Sequence, residues 1–205
     1  PRPAPEFIRT GVAEVDAATG GLPRGSLTEI CGAASTGRTT VLLSAMAQAT
    51  AGEEYCALID ASDAFDPASA AAAGVRLDRV LWVRCGGNAE TALKAADLIV
   101  QGGGFGLAAM DLGDTPPQTA RRISMTSWFR LRRAVEHTPA ALVVVEREPH
   151  ARSCAGLVLE LRREGVAWPG APGCSRILRG VRVAVERRKP VQAARAAFDA
   201  RALGA

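Results

Sequence analysis

Along the first 150 residues, short apolar runs alternate with longer segments whose apolar positions recur at helical spacing. Residues 27–31, 56–60, 80–84, 107–111 and 142–146 are dominated by Val, Ile, Leu, Ala and Met. They are too short for stable helices and read as buried strands. Between them, residues 39–51, 67–73, 89–101 and 118–137 are Ala-rich and helix-forming. Strands alternating with helices predict βαβ units, so the fold class is α/β with a mostly parallel sheet and helices on both faces. Beyond residue 150 the pattern changes: 157–162 and 177–185 read as strands with no helix between them, and the Pro- and Gly-rich stretch 168–173 reads as a loop. That predicts an antiparallel extension at one sheet edge. Residues 191–203, with Val191, Ala194 and Phe198 on one side, are expected to form a last helix. The whole of 1–205 is expected to be one core domain, with 1–25 as a lead-in and 190–205 as a helical tail.

Composition narrows the class. A chain of 205 residues is long enough to bury a sizeable core without a disulfide or a structural metal. With 48% hydrophobic and 22% charged residues it is not a disordered polymer. No apolar stretch is long enough to span a bilayer, and no charged start leads into an apolar leader, so a cytoplasmic protein with no membrane contact is expected. The chain opens on Pro1 rather than methionine, so an upstream segment is expected. The five cysteines (Cys31, Cys56, Cys85, Cys154 and Cys174) are odd in number and never form CxxC. The two histidines, His137 and His150, make no HxxxH. Buried free thiols in a reducing compartment follow, and a metalloenzyme does not. Of the 25 basic residues only Lys94 and Lys189 are lysines, so a motif that needs lysine has two chances to be filled.

The sharpest motif is Gly32-Ala33-Ala34-Ser35-Thr36-Gly37-Arg38-Thr39-Thr40, between an expected strand and an expected helix. That is the setting of a Walker A phosphate loop, G-x-x-x-x-G-K-[ST]. In such a loop backbone N–H groups converge on phosphate oxygens and the helix N-terminus adds partial positive charge. The candidate nucleotide-binding residues are Gly32, Ser35, Thr36, Gly37, Arg38, Thr39 and Thr40, with Asp111 at the end of a later strand as a Walker B acid. Thr39 and Asp111 are the candidate ligands for a magnesium ion that would accompany ATP. The lysine of the motif is Arg38 here, and a planar guanidinium does not reproduce a compact ammonium. Asp60, Asp63 and Asp66 could together hold a cation, but Asp63 and Asp66 are expected to cap the next helix.

These motifs resemble the RecA family. Thr10-Gly11, then Gly20-Gly21-Leu22-Pro23-Arg24-Gly25, then Thr28-Glu29-Ile30 and the phosphate loop run in the order of the RecA core. Ile59-Asp60-Ala61-Ser62-Asp63-Ala64-Phe65-Asp66-Pro67 followed by Gly74-Val75 is similar to the next RecA segment, and the likeness continues more weakly to Lys189. The resemblance implies a RecA-like ATPase core, and the departures from it are systematic. Ser62 stands at the catalytic glutamate, Ser69 at the tyrosine that stacks on adenine, and Arg147 near the glutamine that senses the γ-phosphate. RecA's two DNA loops correspond to shortened stretches near 115–122 and 150–153. Its polymerisation helix and C-terminal domain have no counterpart in residues 1–205. Arg187-Arg188-Lys189 falls where RecA carries the basic pair that reaches the neighbouring subunit's nucleotide, so Arg187 and Lys189 are candidate inter-subunit residues.

Within the family the chain is most similar to the ImuA group, RecA-like accessory proteins of bacterial mutagenesis cassettes. Val80-Leu81-Trp82-Val83-Arg84, residues 92–101 and residues 180–188 carry that likeness. It implies a role in SOS-linked translesion synthesis, with RecA and a polymerase-like protein as partners and with impaired or absent hydrolysis. Arg121, Arg122, Arg130 and Arg133 are candidate contacts to single-stranded DNA. On a helix, Trp128, Leu131 and Val135 would share the buried face, and Arg132 could pair with Glu136. The alternatives are a minimal RecA paralogue with DNA-dependent ATPase activity, in which Arg38 and Asp63 serve, and a plain DNA-binding module.

Overall fold

A computed structural model describes residues 6–167, 178–190 and 194–201. Its elements, in chain order, are β1 (Phe7–Ile8), α1 (Ala13–Thr19), β2 (Leu22–Pro23), β3 (Ser26–Gly32), α2 (Arg38–Ala51), β4 (Cys56–Asp60), α3 (Pro67–Ala72), β5 (Val80–Arg84), α4 (Ala89–Gly102), β6 (Leu107–Asp111), α5 (Pro117–Ala120), α6 (Met125–Val135), β7 (Ala141–Glu146), β8 (Leu157–Ala167), β9 (Gly180–Lys189) and β10 (Ala194–Arg201). β1 and β2 form a small ribbon; the other strands make one eight-stranded sheet in the order β10-β9-β8-β3-β7-β6-β4-β5. From β8 to β5 every pairing is parallel, and β8–β9 and β9–β10 are antiparallel. The α/β class and the antiparallel extension both match the sequence pattern.

The parallel strands are apolar because both their faces are covered. On one face Val41, Leu42 and Met46 of α2 pack with Leu22, Ile30, Leu58 and Val143. On the other, Ala92 and Ala96 of α4 and Trp128 and Leu131 of α6 pack with Leu27, Ile59, Met110 and Leu142. Helix starts are chemically marked. Asp66 accepts from the N–H groups of Ala68 and Ser69, Asn88 from Glu90 and Thr91, and Ser124 from Ser127. Asp63 caps nothing, contrary to expectation; it lies in the left-handed region and pairs with Arg84 at 3.1 Å.

Three further expectations are corrected. The single helix expected over 118–137 is two, α5 and α6, because Ser124 begins a new helix with its own side-chain cap. The Arg132–Glu136 pair is absent because α6 ends at Val135 and Glu136 has already turned to an extended ψ of 132°. Residues 194–201, expected as helix, form strand β10, with Phe198 opposite Val183 in the ladder. The free edge of β9 offers hydrogen bonds that override the helix propensity of an Ala-rich segment. Residues 191–193 and the loop at 168–173 lie outside the described residues. Cys31, Cys56, Cys85 and Cys154 are buried free thiols. Among the described residues no helix is long and apolar enough to cross a membrane.

Phe198 is 5% exposed and, with Val183, packs under the phosphate loop: a Cβ on Gly37 would lie 3.1 Å from Val183 Cγ2 and 3.4 Å from Phe198 Cζ. Phe198→Ala should therefore destabilise the protein by about 3–5 kcal/mol, read as a lowered urea midpoint at unchanged m. A variant as stable as the parent would contradict the packing of β10 against the loop.

Candidate functional site

The phosphate loop leaves β3 at the carboxyl edge of the sheet, where ligands of open α/β folds bind. Four strands deliver residues there: Gly32 from β3, Asp111 from β6, Ser62 just after β4 and Arg147 just after β7. Gly32 has to be glycine, because a Cβ would lie 2.4 Å from the Leu161 carbonyl and 2.5 Å from Thr36 Oγ1. Gly37 takes φ of 83° at the start of α2, a left-handed angle that glycine adopts freely. The Thr36 hydroxyl donates to the Ala33 carbonyl at 2.8 Å and fixes the turn, while Ser35, Thr39 and Thr40 are exposed. Beside the loop opens a cavity of about 720 Å³, lined by Gly32, Ala33, Ala34 and Thr36 on one side. Its other walls are Arg147, Glu148 and Pro149 after β7, and Glu160 to Arg163 of β8 with Arg188 of β9.

The β8 and β9 wall is what sequence reasoning missed. It follows from the pairing of Gly32 with Leu161, a contact across 129 positions of chain that no local pattern announces. Arg162 and Arg188 both hold Glu160 at 2.7 Å.

Arg38 is the group that departs from the motif. It is only 8% exposed, and its Nη1 has no hydrogen-bond partner. A methyl placed on Gly113 would sit 2.9 Å from Asp111 Oδ1 and 3.2 Å from Arg38 Nη1, so carboxylate and guanidinium border the same small volume. Burial lowers the Arg38 pKa, and Asp111 and Asp114 oppose that shift. Arginine nonetheless stays charged in proteins. Asp111 Oδ1 accepts from the Gly113 N–H at 2.8 Å, and burial raises its pKa. Arg147 reaches the same segment, its Nε donating to the Gly113 carbonyl at 3.2 Å.

This arrangement fits a magnesium ion poorly. Thr39 and Asp111 offer oxygens, but two guanidiniums share the edge where the cation would lie. Among the described residues no cluster of three or more His, Cys, Asp or Glu side chains could hold a metal, and that covers Asp60, Asp63 and Asp66. Asp60 is instead committed to the N–H groups of Ala64 and Phe65 and to Trp82 Nε1.

A second feature also escaped the sequence reading. Glu29 of β3 and Glu146 of β7 are 0% and 1% exposed, on adjacent strands. Glu29 Oε1 accepts from the N–H groups of His150 at 2.7 Å and Ala151 at 2.6 Å, while Glu29 Oε2 has no donor. His150 Nδ1 lies 2.6 Å from Glu146 Oε2. Burial, reinforced by the neighbouring Glu146, pushes Glu29 up to about 8. Burial pushes Glu146 up to about 7. A proton held by the pair relieves both the repulsion and the missing donor. The pair thus ties down residues 150–151, just beyond the stretch that carries Arg147 into the cavity. The signal in the sequence was an acid within each of two apolar runs, which is costly unless partnered.

The other candidates lie elsewhere. Arg121 pairs with Glu148 at 2.9 Å and Arg130 with Asp97 at 3.2 Å, while Arg122 and Arg133 are exposed with no ion pair among the described residues. Trp128 is fully buried, as its helical position implied, and the exposed aromatic on α6 is Phe129. Arg187 Nη1 donates to the Ala18 carbonyl at 3.1 Å. Lys189 Nζ donates to the carbonyls of Ser153, at 3.1 Å, and Ala155. The stretch 115–122 contains α5, and 150–153 leads into a 3₁₀ turn at Arg152–Cys154.

A parallel sheet with a glycine-bounded loop opening a helix at its carboxyl edge defines a P-loop α/β protein. Residues 4–115 match the family model of the RecA N-terminal domain. The chain is also similar to Protein RecA of Deinococcus radiodurans, 32% identical over 158 residues that cover 69% of this chain and 43% of that protein. The chain belongs to the RecA family, and it spans less than half the length of that curated relative.

The acid pair makes stability depend on pH. Both folded pKa values are raised, so the folded state keeps protons that the unfolded chain has released. Stability is then lost as pH rises from about 4.5 towards about 8. Glu29→Gln keeps an acceptor for His150 and Ala151 and removes one titration. It should flatten the decline of Tm over that window and raise Tm at the alkaline end, at about 2–4 °C per kcal/mol for a chain of this size. A variant whose Tm tracks the parent at every pH would show that the pair holds no proton.

Proposed function

We propose that this chain is a RecA-like accessory protein of DNA-damage-induced translesion mutagenesis, of the ImuA type. In this reading it binds RecA and a polymerase-like partner and hydrolyses ATP poorly or not at all. The observation that carries the reading is a RecA core whose hydrolytic positions hold the wrong groups. Ser62 has no carboxylate to activate water. The adjacent Asp63 is held by Arg84 at 3.1 Å rather than free to replace it. Arg147, at the γ-phosphate-sensing position, is anchored on the Gly113 carbonyl. The phosphate loop keeps its glycines and its helix, which suits retention of a nucleotide without turnover. Arg122, just past α5, and Arg133, on the exposed side of α6, are the proposed contacts to single-stranded DNA. Arg187 and Lys189 are the proposed contacts to a neighbouring subunit. A RecA core without a working motor could cap a RecA filament or tether the polymerase partner to it.

Titration of RecA filaments on single-stranded DNA tests this. Sub-stoichiometric protein should slow filament growth or co-assemble at filament ends, and phosphate release by the protein alone should stay at background with and without DNA. No effect on filaments together with no binding to the polymerase-like partner would sink the proposal. DNA-stimulated turnover abolished by Asp111→Asn would instead identify a minimal RecA-type ATPase.

A further inference from the structure

We infer that the phosphate loop takes the polyphosphate chain of a nucleotide without a divalent cation, Arg38 and Arg147 supplying the positive charge that a metal would otherwise bring. This deepens the nucleotide-retention reading above and rests on it. Three observations carry the inference. The first is the geometry at Gly113: Arg38 Nη1 and Asp111 Oδ1 border one volume, and Arg147 Nε is bonded to the same residue's carbonyl. A divalent ion beside Asp111 would stand next to two guanidiniums, and charges a few ångströms apart in a partly buried site repel strongly. The second is Arg38 itself, 8% exposed, with a buried Nη1 that no protein oxygen satisfies. A buried donor of a charged group without a partner is costly, and a phosphate oxygen is the acceptor whose shape a guanidinium matches. The third is the 14-residue helix α2, whose unpaired N–H groups face the loop.

The metal-free triphosphate is also drawn more strongly to the guanidiniums. Magnesium neutralises two units of its negative charge and occupies oxygens that the guanidiniums would contact. The base contributes little, because the residue at the adenine-stacking position is Ser69, whose hydroxyl is bonded to Asp66 at 2.5 Å.

The test is a titration of the full chain with ATP in excess EDTA and again in excess magnesium, followed calorimetrically, with inorganic tripolyphosphate as competitor. Affinity in EDTA should equal or exceed affinity in magnesium, and tripolyphosphate should displace ATP. Arg38→Ala should weaken binding in EDTA by about tenfold or more, the worth of a charged hydrogen bond. Arg38→Lys, a compact ammonium that frees the space beside Asp111, should shift the preference towards magnesium. Binding to the parent that needs magnesium would overturn the metal-free inference alone and leave nucleotide retention standing. Binding that tripolyphosphate cannot displace would overturn the assignment of the contact to the phosphate chain. No binding in either buffer would overturn both this inference and the nucleotide-retention reading.

Discussion

The site depends on one strand. β3 is hydrogen-bonded in parallel to β7 on one side and to β8 on the other. Because both neighbours run the same way, all three strands end at one edge, and the chain leaving β3 has to turn between them. Gly32 makes that turn against the Leu161 carbonyl, where no side chain fits. The loop is thereby fixed relative to β8, α2 starts at a set place, and Arg38 in its first turn is pressed inward towards Asp111. The same register sets Cys31 opposite Glu146 on β7 and opposite Glu160 on β8. Burial in this crowded environment pushes the Cys31 thiol up, so it stays protonated and inert.

Much of this was legible in the chain, and the reasons are physical. Strands buried on both faces are unbroken apolar runs, so β3 to β7 stand out. The phosphate loop is contiguous, so its glycines and its odd Arg38 are visible in nine residues. β10 was misread because Ala194 and Phe198 satisfy helical spacing. Ala196, Phe198 and Ala200 also satisfy spacing two, with Ala197 and Asp199 between them and Arg195 and Arg201 at either end. Only the free edge of β9 decides between the two periods, and that edge is not a local property. The cavity wall from β8 and the Glu29–Glu146 pair are contacts between residues more than a hundred positions apart, which no window of sequence contains.

The acid pair and the arginines are parts of one electrostatic arrangement. Arg38 draws the Glu146 titration down while burial drives it up. A proton shared by the pair removes one negative charge from the buried strands β3 and β7. On the far wall Glu160 is already neutralised by Arg162 and Arg188, and Glu148 by Arg121. The acids lining the cavity are therefore paired, while Arg147 and Arg163 line it with no ion pair among the described residues, and Arg38 lies buried beside Asp111.

The departures from the RecA pattern point one way when they are read as charge. Arginine for lysine at 38 keeps a unit of positive charge but spreads it over a plane that extends towards Asp111. In the proposed correspondence to RecA, serine for glutamate at 62 removes a negative charge, and arginine for glutamine at 147 adds a positive one. On that correspondence two units of charge have moved in the cationic direction among the loops that leave the carboxyl edge of the sheet. Water attack on a phosphate is promoted by a side chain that orients or deprotonates the water and by a metal that holds the developing charge. A more cationic edge holds the anion itself more firmly and supplies neither. In the proposed reading, the departures at 38, 62 and 147 belong together as a switch from turning a triphosphate over to keeping it.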